Sequence, residues 1–223
     1  MKPAFLAAAL TLALAGTCPA DPQSTRERGG WIALFDGKSL NGWVDGAGKP
    51  VRNEKWQVAE GVLHLTGKGG GNLYTDRKFG DFDLSFEWKI AAGGNSGVKY
   101  RMASYGKNLL GPEYQLLDDR KNPTGKGATG GLYDVVAPDK ENKKMLPVGQ
   151  WNRSRIVVKG AHIQHFLNGR KVVDVTVGSP EWKEAVAASK FKENEGFAAD
   201  AGPIMLQDHG NPVWFRKVRV REL

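Results

Sequence analysis

Residues 113–119, EYQLLDD, place an acid and an amide where they could act together. Successive side chains of a β-strand point to opposite faces, so Glu113 and Gln115 share one face while Tyr114 and Leu116 share the other. A glutamate can transfer protons, whereas an amide donates and accepts hydrogen bonds. The pair predicts a polar face suited to ligand contact or proton transfer, and a simple strand ion pair is the competing interpretation.

Two histidines could add proton transfer near neutral pH, because imidazole titrates in that range. His209, in LQDHGNP, follows a predicted strand and is flanked by Asp208 and Gly210. We predict a site role for it, although Asp208 and His209 could equally cap a turn before Pro212. His165 lies in the middle of a predicted strand with apolar neighbours at alternate positions, so a core histidine competes with a site role there.

Arg101 ends the stretch NSGVKYR and could bind hydroxyls with its planar guanidinium, and the alternative is a salt bridge to Glu87. Four non-core positions on consecutive predicted strands carry polar side chains: Glu87, Arg101, Glu113 and Gln115. Because sequential strands are usually neighbours, we expect these four to share one surface. Asn95, in the glycine-rich turn GGNSG, is predicted at the rim of that surface.

Further candidates for ligand contact are two aromatic residues and two carboxylates: Tyr133, Trp151, Asp118 and Asp208. The aromatic rings could stack on a ligand, although core packing explains most aromatic residues. The carboxylates and His209 are of types that ligate metals, but they show no defined ligand spacing. The sequence therefore requires no cofactor and leaves room for a divalent cation.

The elements that must position these residues are β-strands. DFDLSFEWKI, residues 81–90, alternates apolar and polar side chains, as a half-buried strand does. Similar patterns recur in GVKYRMA, EYQLLDD, GGLYDVV and SRIVVKG, and turn signals at Glu60-Gly61 and Asn168-Gly169 predict hairpins. This succession of strands predicts an all-β jelly-roll sandwich of two antiparallel sheets.

One segment favours a helix. In SPEWKEAVAASKF, Ser179 is a candidate N-cap and Pro180 occupies the first helical position. The predicted organisation is a signal peptide over residues 1–20, a linker over 21–30 and a single domain over 31–223 with this short helical insertion.

The N-terminal sequence MKPAFLAAALTLALAGTCPA combines a lone Lys2, an apolar run over residues 4–15 and small residues toward Ala20. These features predict a secretory signal peptide that is cut after Ala20, and hence a periplasmic or secreted protein with no further membrane segment. Thr17 before Cys18 departs from the lipoprotein pattern, so lipid attachment is the weaker alternative.

The formal net charge of +8 comes from basic residues scattered along the chain, with a mild cluster in the C-terminal RKVRVREL. Nucleic-acid binding usually requires a concentrated basic face, so nucleic acid is not predicted as a partner. Removing residues 1–20 removes the one cysteine, so the mature chain depends on its core rather than on disulfides. No pattern in the sequence indicates the oligomeric state.

Five stretches, in order, resemble the 3-keto-disaccharide hydrolase domain family: LFDGKSLNGW, GGNSGVKYR, EYQLLDD, WNRSRIVVKGAHIQHFLNGRKVVD and GPIMLQDHGNPVWFRKVRVREL. The resemblance runs from about residue 30 to the C-terminus. It implies a concanavalin A-like jelly-roll fold similar to that of lectins and glucanases. It also implies an exported bacterial enzyme that cleaves glycosides oxidised at carbon 3, with a small sugar as substrate.

A ketone at carbon 3 acidifies the hydrogen on carbon 2, so the implied chemistry can proceed by β-elimination followed by addition of water. Such a site needs a base, donors for the enolate oxygen and an acid for the leaving oxygen. Glu113 and His209 are then the predicted proton carriers, with Gln115 as a hydrogen-bonding partner of the substrate. A non-catalytic carbohydrate-binding module on the same fold is the alternative, because fold alone cannot separate lectins from enzymes.

Overall fold

The computed structural model describes residues 29–121 and 124–223, so the predicted signal peptide lies outside the described residues. Within these ranges the chain forms fifteen strands, one α-helix and a 3-10 turn at Asp119–Lys121. In chain order the strands and the helix are β1 (Ile32–Ala33), β2 (Trp43–Val44), β3 (Trp56–Ala59), β4 (Val62–Leu65), β5 (Leu73–Thr75), β6 (Phe82–Ile90), β7 (Asn95–Lys99), β8 (Ala103–Tyr105), β9 (Asn108–Leu110), β10 (Glu113–Leu117), β11 (Asn152–Lys159), β12 (His162–Leu167), β13 (Arg170–Thr176), α1 (Pro180–Ala187), β14 (Met205–Leu206) and β15 (Val213–Glu222).

Two antiparallel sheets pack face to face. The large sheet has eight strands in the order β13-β12-β11-β6-β15-β4-β3, with β1 also paired to β15. The small sheet has five strands in the order β10-β7-β14-β5-β2, and β8 and β9 form a separate hairpin. This architecture is the jelly-roll sandwich that the alternating pattern predicts, and that prediction is confirmed.

Strand β6 shows how the alternation builds the core. One side of it is apolar and buried: Phe82, Leu84, Phe86, Trp88 and Ile90. Phe86 meets Tyr114 of the small sheet edge to face, with ring centroids 5.8 Å apart. Phe82 meets Tyr100 in the same geometry, also at 5.8 Å. These aromatic contacts join the inner faces of the two sheets and fix which residues of β10 and β7 face outward.

Local turn and cap signals give the predicted elements. Glu60 and Gly61 have φ values of 51° and 76° in the β3–β4 hairpin, and Asn168 and Gly169 have 49° and 84° in the β12–β13 hairpin. Two successive positive φ values are typical of the turns that join antiparallel strands. Helix α1 begins after Ser179, whose side chain accepts a hydrogen bond from the Trp182 amide at 3.2 Å, so the predicted cap is present.

One expectation about neighbouring strands is wrong, and it concerns the site. Consecutive strands β6 and β7 belong to different sheets, so Glu87 and Glu113 project from opposite outer faces of the sandwich. Strand β7 ends at Lys99, and Arg101 beyond it has a φ of 46°, which turns the chain away from the strand direction. The four polar side chains expected on one surface are therefore divided.

Candidate functional site: a polar face on the small sheet

The outer face of the small sheet carries Glu113 and Gln115, while Tyr114 and Leu116 between them are fully buried in the core. Antiparallel register places Glu113 opposite Lys99 of β7, and Gln115 opposite Gly97. We use the name polar face for six residues of this surface and its margin: Asn95, Lys99, Glu113, Gln115, Gln207 and His209. The predicted pairing of an acid and an amide on one face is therefore present in the structure.

Glu113 is nearly inaccessible, with 4% of its surface exposed, although it lies on the outer side of a sheet. The Lys99 ammonium lies 3.4 Å from its carboxylate. Burial raises the pKa of the Glu113 carboxyl above its usual value, while the positive charges of Lys99 and, more weakly, Lys190 and His209 act in the opposite direction. A carboxyl with a raised pKa is suited to accepting and returning a proton.

Gly97 makes room for this carboxyl group. A Cβ atom built on Gly97 would lie 2.2 Å from Oε1 of Glu113 and 2.9 Å from its Cδ. The Glu113 side chain therefore lies flat over the backbone of β7 at the one place on that strand where a side chain is missing. A glycine here is required by close approach rather than by backbone conformation.

Residues 128–136 cover the edge of β10. The backbone amide of Tyr133 donates to the backbone carbonyl of Glu113 at 2.9 Å, and the backbone amide of Gln115 donates to the Gly131 carbonyl at 3.2 Å. The stretch predicted as a strand there forms isolated bridges with β10 rather than a regular strand. It places Tyr133 beside Glu113, and both burial and the charge of Glu113 raise the pKa of the Tyr133 phenol. Tyr133 thus forms a wall of the polar face.

A chain of side-chain amides connects Gln115 to His209. The Gln115 Nε2 atom donates to Oδ1 of Asn95 at 3.0 Å, and Nδ2 of Asn95 lies 3.4 Å from Nε2 of His209. With Asn95 as donor, Nε2 of His209 accepts, and the imidazole proton is then carried by Nδ1. This arrangement agrees with the rim position predicted for Asn95. It also brings His209, for which the sequence predicts a site role, to the margin of the polar face.

Asp208 holds the loop that carries His209. Its Oδ2 atom accepts hydrogen bonds from the amides of Gly69 at 3.1 Å and Gly71 at 2.9 Å, and its Oδ1 atom accepts from the Gly210 amide at 2.8 Å. All of these contacts are to the protein's own backbone. The structure therefore places Asp208 as a support for His209.

Gln207 adds an unsatisfied acceptor. The backbone amide of Gln207 donates to the Gly97 carbonyl at 3.0 Å, which places Gln207 beside the Glu113 carboxylate. Its Oε1 atom is buried and has no hydrogen-bond partner among the residues that the structure describes. A buried acceptor without a donor is costly, so a ligand hydroxyl here would relieve that cost.

Arg101 does not reach the polar face. Its side chain is 3% exposed and donates to the carbonyls of Gly80 at 3.0 Å and Gly160 at 2.8 Å, and to the Asp81 carboxylate at 2.9 Å. Asp81 in turn accepts from the Gly160 amide at 2.8 Å. The guanidinium therefore connects two turns. The salt bridge to Glu87, which was the alternative prediction, does not form, because Asp81 is the carboxylate that Arg101 binds.

Glu87 and Trp151 lie on the outer face of the large sheet. Glu87 accepts hydrogen bonds from Arg216 at 2.7 Å and Lys217 at 2.9 Å, and it borders a cavity of about 450 Å³. The Arg216 guanidinium also lies 4.1 Å from the centre of a Trp151 ring. Both residues are separated from Glu113 by the whole thickness of the sandwich, so their predicted contact with the same ligand has no geometric support.

Asp118 follows β10, and its carboxylate accepts a hydrogen bond from the Gly93 amide at 2.7 Å. Arg120 also donates to this carboxylate, with one nitrogen at 2.9 Å. Hydrogen bonds from Arg120 hold the pKa of the Asp118 carboxyl well below its usual range. Asp118 therefore holds its own turn in place, and none of these hydrogen bonds connects it to the polar face.

His165 is a core histidine, fully buried between the sheets. Its Nε2 atom lies 2.7 Å from the Tyr100 hydroxyl, and its Nδ1 atom lies 3.0 Å from the Gly130 carbonyl. Burial lowers the pKa of this imidazole to about 4 from its usual value of 6.5. The neutral ring donates from Nδ1 to Gly130 and accepts from Tyr100. The core role that its apolar neighbours favour is the one that the geometry supports.

Protonation of this histidine should weaken the fold in acid. The imidazole stabilises the fold fully above pH 6.5 and loses that contribution as the pH falls toward 4, because the unfolded chain binds the proton first. Between pH 8 and pH 5 the loss is about 2 kcal/mol. Urea unfolding of the wild type and of His165→Gln at both pH values should show a smaller acid loss in the variant. Equal losses would contradict a neutral buried imidazole.

Within residues 29–121 and 124–223, no group of three or more histidine, cysteine, aspartate or glutamate side chains is arranged to hold a metal ion. In the same part of the chain, no helix has the length and apolar character to cross a bilayer.

Four residues of the site were missed by the sequence reasoning: Lys99, Gly97, Gln207 and Lys190. Lys99 could have been found from the sequence, since it occupies an outward position in the alternation of its strand. Gly97 and Gln207 depend on which strands are neighbours. Lys190 lies after α1 in a segment without regular periodicity, so no local pattern indicates its position.

Comparison with known proteins connects this geometry to a family. Residues 30–221 match the model of the 3-keto-alpha-glucoside-1,2-lyase-like domain. A protein of Bacteroides thetaiotaomicron named 3-keto-disaccharide hydrolase is 33% identical, and the match covers 87% of this chain and 79% of that protein.

Crystal structures of two candidate glycosyl hydrolases from Parabacteroides distasonis share the fold. The first is 32% identical with a TM-score of 0.77, covering 87% of this chain and 94% of that one. The second is 24% identical with a TM-score of 0.63, covering 86% of this chain and 99% of that one. The family match spans nearly all of the described residues and agrees with the ordered motifs of the sequence. The chain belongs to the 3-keto-alpha-glucoside-1,2-lyase-like domain family.

Proposed function

We propose that this protein is an exported enzyme that cleaves the glycosidic bond of 3-keto-glycosides. Family membership and the relative named 3-keto-disaccharide hydrolase support a carbohydrate-active, glycosidase-like enzyme. The signal-like N-terminal sequence supports a periplasmic or secreted location. The observation that carries the proposal is the single, nearly inaccessible carboxylate of Glu113, with Lys99 3.4 Å away and its pKa raised by burial.

The proposed reaction begins at carbon 2. Glu113 takes the proton from carbon 2, and the electron pair of that bond forms the enolate of the carbon 3 ketone. Re-forming the ketone then breaks the bond between carbon 1 and the leaving oxygen, and a double bond forms between carbons 1 and 2. The leaving oxygen takes a proton, and water adds to the enone to give the free 3-keto sugar. A raised carboxyl pKa favours the first step, because it makes Glu113 a stronger base.

His209 is the proposed donor to the leaving oxygen. It is exposed at the margin of the polar face, and the amide of Asn95 orients it from one side. The proton on the opposite ring nitrogen would then be directed toward solvent or ligand. Gln115 and the unpartnered Oε1 of Gln207 are the proposed partners for sugar hydroxyls.

The composition of the polar face also argues against an ordinary glycosidase mechanism. Retaining and inverting glycosidases place two carboxyl groups on either side of the scissile bond, roughly 5 to 10 Å apart. Glu113 is the one carboxylate among the six residues of the polar face. Amides, a lysine and an imidazole fill the rest. An elimination, which needs one base, fits this set better than a double displacement.

The test is release of nitrophenol from nitrophenyl 3-keto-glucoside compared with the unoxidised glucoside. We expect release from the oxidised sugar alone, and a parallel assay with a chelator would show whether a divalent cation takes part. Equal binding of both sugars without release would instead indicate a carbohydrate-binding module. The ion pair between Glu113 and Lys99 would suit that function as well, since it is also an ordinary structural contact.

A further inference from the structure

An elimination places negative charge on the carbon 3 oxygen, so the site needs a positive or hydrogen-bonding group for it. Arg101 is the cation that the sequence predicts for contact with the substrate. The structure instead binds every part of that guanidinium to Gly80, Gly160 and Asp81. Another group beside the base must therefore serve the oxygen if the proposed reaction operates, and a cation would do so most strongly.

Two lysines lie near the base. Lys99 is 3.4 Å from the Glu113 carboxylate and is already paired with it. Lys190 is different: its ammonium lies 4.2 Å from the centre of the Tyr133 ring and 5.1 Å from that of Phe191. Within the described ranges of the chain, no hydrogen bond or ion pair within 4 Å is found for that ammonium, and Glu113 and Asp134 act on it at longer range. Its three N–H donors are therefore free for a ligand.

The backbone at Lys190 is held in place by neighbouring contacts, although the side chain is exposed. Its backbone amide donates to the Asp134 carboxylate at 2.7 Å, which ties the segment to the loop that carries Tyr133. The next residue, Phe191, is buried and stacks on Phe197 with ring centroids 4.1 Å apart. The insertion that contains α1 is thus anchored on both sides of the lysine. These contacts fix the backbone from which the Lys190 side chain extends over the Tyr133 ring.

Tyr133 links this ammonium to the base, because its backbone amide donates to the Glu113 carbonyl at 2.9 Å and the ammonium lies 4.2 Å from the centre of its ring. The charge of Lys190 lowers the pKa of the Glu113 carboxyl, and Glu113 and Lys99 in turn act on the pKa of Lys190, which partial burial lowers. Glu113 and the ammonium of Lys190 therefore both lie beside Tyr133. A sugar that offers its carbon 2 hydrogen to Glu113 brings the adjacent carbon 3 oxygen toward the lysine.

We propose that Lys190 binds the carbon 3 oxygen of the substrate and stabilises the enolate that forms there. This inference rests on the proposed function. While Glu113 takes the carbon 2 proton, the oxygen gains the electron pair of the carbonyl bond and the ammonium donates a hydrogen bond to it. The lysine keeps its proton, and the charge returns to the ring when the leaving group departs.

The test compares Lys190→Met with Lys190→Arg and with Lys192→Met, an exposed lysine of the same segment that lies 3.9 Å from the Glu193 carboxylate. We expect Lys190→Met to lower kcat roughly 10-fold or more with KM changed by less than about threefold, because a transition-state contact affects kcat. Deuterium uptake at carbon 2 from heavy water should fall in parallel. Lys190→Arg should recover most of the rate, and Lys192→Met should match the wild type.

Several outcomes overturn this assignment. Wild-type kcat and carbon 2 exchange in Lys190→Met would remove the lysine from the reaction, and a rise in KM alone would reduce it to ground-state binding. Loss of activity in Lys190→Arg with unchanged thermal unfolding would show that a cation is not what the site requires. A wild type that neither releases nitrophenol nor exchanges carbon 2 would overturn the proposed function, and this inference with it.

Discussion

Replacing Glu113 with glutamine should lower kcat on a 3-keto-glycoside by at least ~100-fold, because general acid–base catalysis contributes about 10²- to 10⁴-fold. Glutamine keeps the shape of the side chain and can still accept a hydrogen bond from Lys99. It cannot take a proton from carbon 2. Steady-state rates of nitrophenol release, measured with circular dichroism and thermal unfolding of both proteins, give the comparison.

The matched control for that variant is Glu87→Gln. Glu87 is also an ion-paired glutamate on the outer side of a sheet, bound by Arg216 and Lys217, but it lies on the opposite face of the sandwich. We expect turnover close to that of the wild type. Undiminished turnover in Glu113→Gln, or equal losses in both variants, would remove Glu113 from the mechanism and leave it as a structural ion pair.

Substituting alanine for Gly97 should cost turnover about 100-fold, since displacement of a catalytic group by about 1 Å is enough for a loss of that size. The added Cβ would stand 2.2 Å from Oε1 of Glu113, so the carboxyl group must rotate away from its place over β7. The backbone of β7 itself accepts alanine, because Gly97 does not have a positive φ. We therefore expect the free energy of unfolding to stay close to that of the wild type while kcat falls.

Gly46→Ala is the control for this substitution. A Cβ on Gly46 would meet its nearest neighbour, Tyr74, at an ordinary 3.8 Å, and its φ is not positive. Its turnover should stay near that of the wild type. If Gly97→Ala retained full activity, the exact placement of the Glu113 carboxylate over β7 would not matter for the reaction.

The fold was predictable because its signals are local. Alternation in DFDLSFEWKI gives β6, paired residues with positive φ give the hairpins at Glu60-Gly61 and Asn168-Gly169, and Ser179 with Pro180 gives the start of α1. Each of these depends on sterics or hydrogen bonds within a few residues. No knowledge of distant parts of the chain is needed to interpret them.

The site was predictable only in part, because alternation shows which side chains share a face but not which sheet a strand joins. Glu113, Gln115 and Asn95 lie on one strand pair, and the sequence places them together correctly. Glu87 was misplaced because β6 and β7 are consecutive in the chain but lie in different sheets. Sequential strands are neighbours in roughly two-thirds of cases, and this is one of the others.

Arg101 shows a second limit, which is conformational. Its pattern continues the alternation of β7, yet the residue takes a φ of 46° and its side chain is buried against two turns. Lys190 shows the reverse case, a residue without any periodic signal that tertiary packing of Phe191 and Phe197 carries to the site. Both depend on contacts between segments distant in the sequence, which patterns of spacing do not record.

Deuterium at carbon 2 tests the central claim most directly. The enzyme is incubated with nitrophenyl 3-keto-glucoside in heavy water, and the recovered 3-keto sugar is examined by NMR against a sample without enzyme. Proton abstraction by Glu113 predicts solvent deuterium at carbon 2 of the product at a rate that matches nitrophenol release. A product that is released at full rate while its carbon 2 keeps the original hydrogen would contradict the elimination and the role of Glu113 in it.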